Sequence, residues 1–262
     1  MSNQPTEQAA NTIAWKSNVK GFLLDVTGVL YNYSPTGVGE AIPGSIKAVQ
    51  RLYSESKVRF VSNESATSRE ILHKKLQTLG FDIDINHLFT PAIACSQYLQ
   101  REGLRPYLLT KESVKGEFEG CDLNDPNVVV MADCEEEFTH DALNKAFRVL
   151  RAMKEPHLIS LGFGKFYQAL DGPSLDVGPF AMSLIFATGC RHTIIGKPME
   201  TYFDVVMIGD DIESDAGGAQ KFGLKGVQLR TGKWRPEWEN HDKVKPDLVA
   251  DNLLSAVDSI LS

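Results

Sequence analysis

Several polar residues of this chain stand where apolar runs stop. Asp25 follows "GFLL", Ser62 and Asn63 follow "VRFV", Lys197 follows "HTIIG", and Asp210 and Asp211 follow "VVMIG", with Asp215 close behind. A carboxylate at the end of a buried strand is costly unless something positive meets it. Acids gathered in one crevice need a cation, and hard Mg2+ takes one or two carboxylates together with phosphate oxygens. The Lys197 ammonium and the Ser62 hydroxyl suit a phosphoryl group. A carboxylate such as Asp25 can also act as a nucleophile and form an aspartyl-phosphate. Thr27, two residues after Asp25, is a poor acid and a poor base near neutral pH.

The elements that must position these groups alternate along the chain, which predicts βαβ units and a parallel sheet. In such sheets ligands bind beyond the carboxyl ends of the strands. Phe22 to Asp25 reads as the first strand, and Ile46, Val49 and Leu52 share a helical face after Pro43-Gly44-Ser45. "KVRFVSN" reads as a strand. Thr67 to Glu70 has the capping-box pattern, opening a helix that runs to Gly80. "HLFTPAIACSQYLQREG" reads as a short strand and a helix ending near Gly103. The alternation then repeats through "RPYLL", "VVVMAD", a helix over "HDALNKAFRVLRAM" and "HLISLG", before a Gly- and Pro-rich hairpin or loop and a helix over 180–187. After "HTIIGKP" come "DVVMIGDD", a Gly-rich helix start, "GVQLR", and a closing strand and helix. The expected fold is α/β: a doubly wound parallel-sheet core over 19–103 and 189–262, an inserted α/β domain over 104–188, and a flexible N-terminus over 1–18.

Bulk properties narrow the function. A chain of 262 residues, 42% hydrophobic and 23% charged, is an ordinary globular composition. The net charge of −7 argues against a nucleic-acid footprint, which needs a basic face. "KWRPEWENHDK" therefore reads as a folded loop and not as a nucleic-acid patch. Cys95, Cys121, Cys134 and Cys190 are scattered without a C-x-x-C pair, as free thiols in a reducing compartment are. No signal h-region and no membrane-length apolar run is seen. The expected location is cytoplasmic, with the nucleus as a second compartment.

Asp25-Val26-Thr27-Gly28-Val29, Ser62, Lys197-Pro198 and Gly209-Asp210-Asp211 with Asp215 resemble the four ordered motifs of the haloacid dehalogenase superfamily. "GFLLDVTGVLY", "VRFVSNES", "LRPYLL", "LDVGP" and "MIGDDIESDAGGAQ" extend the likeness to the class IIA cap branch, and to its members that hydrolyse phosphohistidine, phospholysine and pyrophosphate. The resemblance implies a Rossmann-like core with an inserted cap, Mg2+ as cofactor, and a homodimer. It implies that Asp25 is nucleophile and Mg2+ ligand, that Asp210 is a second ligand, and that Thr27 reaches the metal through its carbonyl. Val26, Thr27, Ser62 and Asn63 would hold the phosphoryl oxygens, and Lys197 would neutralise developing charge. Asp211 and Asp215 would support the metal from behind these ligands, although an acidic helix start complementing the dipole explains them equally.

Many phosphatases of the superfamily carry a second aspartate where Thr27 stands, acting as general acid. Without it, good leaving groups are favoured: pyrophosphate leaves as a stabilised anion, and phosphohistidine leaves as an imidazole that protonates near pH 6.5. The expected reaction is Mg2+-dependent hydrolysis of P–N and P–O–P bonds (phosphohistidine, phospholysine, imidodiphosphate, pyrophosphate) through an aspartyl-phosphate. The alternatives are a phosphomonoesterase of the same cap class, acting on 4-nitrophenyl or pyridoxal phosphate, and a non-catalytic phosphate- or partner-binding member. The last arises because only five residues separate Lys197-Pro198 from "DVVMIGD", whereas a parallel crossover needs about a dozen. So short a connection predicts that Lys197 is pulled from the phosphate or the strand is displaced, with weakened stability and turnover.

Overall fold

The computed structural model describes residues 15–34, 38–169, 172–197 and 205–262. Along the chain, β1 (Gly21–Leu24) leads through a turn to the short pair β2 (Tyr31–Asn32) and β3 (Glu40–Ala41). Then come α1 (Ser45–Glu55), β4 (Val58–Val61), α2 (Arg69–Thr78), β5 (Leu88–Phe89) and α3 (Pro91–Glu102). The middle section forms β6 (Pro106–Leu109), β7 (Val128–Met131), α4 (His140–Ala152), β8 (His157–Ser160), the hairpin β9 (Phe166–Ala169) and β10 (Gly172–Leu175), α5 (Val177–Thr188) and β11 (Arg191–Ile194). The chain closes with β12 (Val205–Gly209), a helical turn Ile212–Ala216 running into α6 (Gly217–Lys221), β13 (Lys225–Leu229), β14 (Leu248–Ala250) and α7 (Leu253–Leu261).

By their contacts the residues divide into two compact units, the first comprising 1–61, 75–88 and 197–262, the second 62–74 and 89–196. The first unit is built on a six-stranded sheet in the order β14-β13-β12-β1-β4-β5, with the pairings from β14 through β4 parallel. All four β1 residues are buried, which explains an apolar run without alternation: both faces of a parallel strand are covered. β1 lies between β12 and β4, with Leu24 opposite Ile208 on one side and Phe60 on the other. The strand order reverses there, so the crevice for a ligand opens at the carboxyl ends of β1 and β12. α1 buries Ala48, Val49 and Leu52. Residues 16–18, expected to be flexible, are instead docked: Lys16 Nζ donates to the Ser259 carbonyl and hydroxyl at 3.0 and 2.8 Å.

The second unit carries a four-stranded sheet, β11-β8-β7-β6, parallel throughout. Its two inner strands, β7 and β8, are fully buried. Val129 and Met131 pack with α4 and α5 on one face, while Val128 and Val130 pack with α3 and Phe118 on the other. The expected insertion, 104–188, is narrower than this unit. β11 pairs with β8 and not with the large sheet, so "HTIIG" belongs to the second sheet and ends at Ile194, short of Lys197. α3 joins the same unit because Ala92, Cys95 and Leu99 are buried against Val114, Phe118 and Val130.

Smaller corrections have local causes. Ser68, not Thr67, caps α2, its hydroxyl accepting from the Ile71 N–H at 3.3 Å. α5 begins three residues before the expected 180, because Asp176 accepts from the Val177 N–H and Pro179 suits a first helical turn. Cys95, Cys134 and Cys190 are buried and all four thiols are free. The connection over 198–203 lies outside the described residues, but neither displacement expected of it, of Lys197 or of β12, appears in the described residues. β12 pairs in register with β1, and Lys197 reaches Asp25.

His157 is buried on β8, and burial followed by the nearby Arg191 charge pushes its imidazole down to about 4. The unfolded histidine titrates near 6.5, so between these values the unfolded chain binds the extra proton. The stability from neutral His157 is present above pH 6.5 and is lost as pH falls toward 4. His157→Gln should flatten that part of the profile in denaturant melts at pH 7, 5.5 and 4.5. An equally steep decline in the variant would contradict the assignment.

Candidate active site

Asp25 sits one residue beyond β1, and its N–H donates to the Ile208 carbonyl at 2.9 Å, extending the pairing with β12. Its Oδ1 accepts from the Val26 N–H at 2.6 Å and lies 2.6 Å from Lys197 Nζ. Two donors on one oxygen fix the plane of the carboxylate. Beyond it the chain must turn sharply. Gly28 takes φ +84, and a Cβ there would lie 2.0 Å from Asp210 Oδ2, so glycine is required on both counts. The Gly28 N–H donates to the Tyr31 carbonyl at 2.8 Å, and Thr27 Oγ1 lies 3.2 Å from the Tyr31 hydroxyl.

Asp210 follows β12 as Asp25 follows β1. Its Oδ2 accepts from the Lys233 N–H at 2.7 Å, and its carbonyl accepts from Gln228 Nε2 at 2.7 Å. Its Oδ1 is buried without a hydrogen-bond partner among the described residues. Asp215, on the turn after β12, lies over Gly209, where a Cβ would come within 2.0 Å of the carboxylate. Asp215 Oδ1 is 2.9 Å from Lys197 Nζ, an ion-pair contact. One carboxylate oxygen from each of Asp25, Asp210 and Asp215 lies within 4.8 Å of the others.

The electrostatics follow from this crowding. Three buried carboxylates face one buried ammonium. Burial, opposed by Lys197 and reinforced by Asp210, pushes Asp25 up to about 6. Burial and then the Asp215 charge raise Asp210; burial also raises Asp215, against the pull of Lys197. Burial works against the Lys197 charge, yet Asp215 and Asp25 outweigh it and hold the ammonium above its ordinary range. A hard divalent cation would relieve the repulsion, and the orphaned Asp210 Oδ1 is the oxygen that such an ion needs. The residues present therefore fit Mg2+.

The structure thus gathers Asp25, Thr27, Lys197, Asp210 and Asp215 in the first unit, with Asp215 contributing an oxygen to the carboxylate cluster alongside Asp25 and Asp210. Asp211 is turned elsewhere: its Oδ1 caps the following turn at Glu213 and Ser214, and its Oδ2 lies 3.3 Å from Lys233 Nζ. Ser62 and Asn63 follow β4 as expected but fall in the second unit. Ser62 is buried, donates from its N–H to the Phe89 carbonyl at 2.9 Å, and accepts from the Glu64 N–H at 3.0 Å.

Sequence reasoning missed the wall formed by Thr231, Gly232 and Lys233. Thr231 Oγ1 donates to the Gly28 carbonyl, and a Cβ on Gly232 would lie 1.9 Å from Asp210 Oδ2. The signal was present: "TGK" follows "GVQLR", one more polar stretch at a strand end.

Residues 22–124 match the family model described as haloacid dehalogenase-like hydrolase, and residues 193–256 match a second HAD-hydrolase-like model. Phospholysine phosphohistidine inorganic pyrophosphate phosphatase of Homo sapiens is 46% identical over 258 residues, covering 94% of this chain and 95% of the relative. Its namesake in Danio rerio is 43% identical, covering 97% and 98%. Among solved structures, a 4-nitrophenylphosphatase from Thermotoga maritima superimposes with a TM-score of 0.84 at 22% identity, covering 94% of this chain and 99% of that one. Ordered motifs, a buried acid cluster at the switch point, and these similarities agree: the chain belongs to the haloacid dehalogenase-like hydrolases, alongside the phospholysine phosphohistidine inorganic pyrophosphate phosphatases.

Proposed function

We propose that this chain is a Mg2+-dependent phosphatase of P–N and P–O–P bonds, acting on phosphohistidine, phospholysine, imidodiphosphate and inorganic pyrophosphate. The observation that carries it is the buried Asp25 carboxylate, oriented by Val26 and Lys197 beside an Asp210 oxygen that has no hydrogen-bond partner among the described residues. Relatives named for this chemistry match over nearly the whole chain. Asp25, Asp210 and Asp215, with the Thr27 carbonyl, would hold Mg2+, which when bound neutralises phosphoryl charge. Asp25 attacks phosphorus, an O–P bond forms, and the P–N or P–O bond breaks with its electron pair leaving on nitrogen or oxygen. Lys197 offsets charge on the transferring group. Water then hydrolyses the aspartyl-phosphate and restores Asp25. We also propose a homodimer located in the cytoplasm and nucleus. The deciding experiment is phosphate release from imidodiphosphate with and without Mg2+; no Mg2+-dependent release would overturn the reading.

Thr27 supplies no proton, so leaving groups that need little help are favoured. Thr27→Asp should raise hydrolysis of an alkyl phosphate relative to imidodiphosphate, by about tenfold if the new carboxyl acts as general acid. The ratio is to be measured at matched Mg2+ saturation, because a further acid beside the cluster changes metal affinity. An unchanged or falling ratio would refute the leaving-group argument.

A further inference from the structure

The second unit contains a cleft of about 680 Å³ that the reaction above does not use. It lies at the amino ends of β6, β8 and β11, and its volume is that of an ordinary small-molecule site. Its apolar lining includes Leu104, Val149, Met153 and Pro156. Its charged lining is uneven. Arg105 is engaged elsewhere, its Nε donating to the Asn124 and Asp125 carbonyls and its Nη2 pairing with the Asp125 carboxylate at 3.0 Å. Lys154 and Arg191 form no ion pair among the described residues, and Glu155 is the acid left to set against the two of them.

Arg191 is also aimed. It stands opposite His157 in the parallel register of β11 and β8, so the two side chains leave the same face of the sheet. An Arg191 Nη2–H donates to His157 Nδ1 at 2.8 Å, and His157 Nε2 meets Thr193 Oγ1 at 3.0 Å. A guanidinium has no acceptor, so Nδ1 must be the lone pair and Nε2 must carry the proton that Thr193 accepts. The imidazole is therefore neutral, in keeping with its lowered pKa. A carboxylate in that place would have cancelled the charge; the histidine fixes the side chain and leaves the charge intact. An oriented guanidinium and an exposed ammonium, lining the cleft together with apolar side chains, form a receptor for a negatively charged head on an apolar body.

We propose that this cleft binds a small organic anion, its carboxylate, sulfonate or phosphate head held by Arg191 and Lys154 and its apolar body lying on Leu104, Val149, Met153 and Pro156. None of the residues lining the cleft belongs to the acid cluster, and the test does not depend on catalysis. The probe is 8-anilinonaphthalene-1-sulfonate, which no phosphatase can consume, followed by fluorescence titration and amide chemical-shift mapping on the full-length protein. One saturable site is expected, with shifts centred on 104–105, 125–127, 149–157 and 191. Arg191→Gln and Lys154→Gln should each weaken binding by about tenfold, the worth of one charge-assisted hydrogen bond. Arg191→Lys should lose less. The uncharged analogue N-phenyl-1-naphthylamine should bind more weakly and ignore both substitutions. Lys154 is exposed and takes part in no described hydrogen bond, so Lys154→Gln keeps the test valid should the Arg191 variants melt early. No saturable binding, binding indifferent to both charges, or shifts confined elsewhere would overturn the proposal.

Discussion

Asp25→Asn is expected to lower phosphate release from imidodiphosphate by at least about 10³-fold, because an amide oxygen is a poor nucleophile and a poor Mg2+ ligand. The fold should survive. The side chain keeps its size, an amide oxygen can still accept from the Val26 N–H, and Lys197 keeps Asp215 as a partner. Removing one of three crowded carboxylates even relieves repulsion with Asp210, which helps raise the Asp25 pKa. The melting temperature without metal should therefore stay within a few degrees of wild type. Activity within tenfold of wild type, at full Mg2+ saturation, would sink the nucleophile assignment. A collapse of both activity and melting temperature would instead mark Asp25 as structural.

Lys197→Met should damage both properties. The ammonium is buried between Asp25 and Asp215 at 2.6 and 2.9 Å, with its side chain 5% exposed. Deleting one partner of a buried ion pair leaves uncompensated charge and costs about 3–5 kcal/mol. For a chain of this length that is roughly a 6–15 °C fall in metal-free melting temperature. Methionine fills most of the space, so the loss reports charge more than a cavity. Added Mg2+ should restore part of the stability by neutralising the acids. It should not restore turnover, which should remain lower by about 10²-fold or more, because charge on the transferring group has lost a fixed donor. Unchanged metal-free melting together with activity within a few-fold of wild type would show that Lys197 is neither a counter-charge nor a participant in catalysis. Expected loss of stability with intact turnover would confine it to the first role.

Both predictions were open to the sequence because Asp25 and Lys197 each sit beside a local signal. An apolar run that stops at a charge reads as a strand end without knowledge of what lies alongside. β1, β4 and β12 were legible this way, as were Asp25, Ser62 and Asp210 at their ends. The α3 stop at Gly103, which adopts φ +64, was legible as a glycine cap for the same local reason. Pairing is different in kind. "HTIIG" is apolar enough for either sheet, and β11 joins β8 only because its register partners are already placed there.

The sequence by itself determined that this is an α/β hydrolase of the haloacid dehalogenase type, with Asp25 and Asp210 at strand ends and a cap section between its halves. Those properties are carried by residue types in short windows and by the order of the windows. Tertiary structure decided which acids cluster. It sent Asp215 toward Asp25 and Asp210, turned Asp211 to cap a turn and meet Lys233, and closed the site with Gly232 against Asp210. It also set His157 beside Arg191 across two strands. Such choices depend on the space and charge left by elements distant in the chain, and neither composition nor periodicity records them.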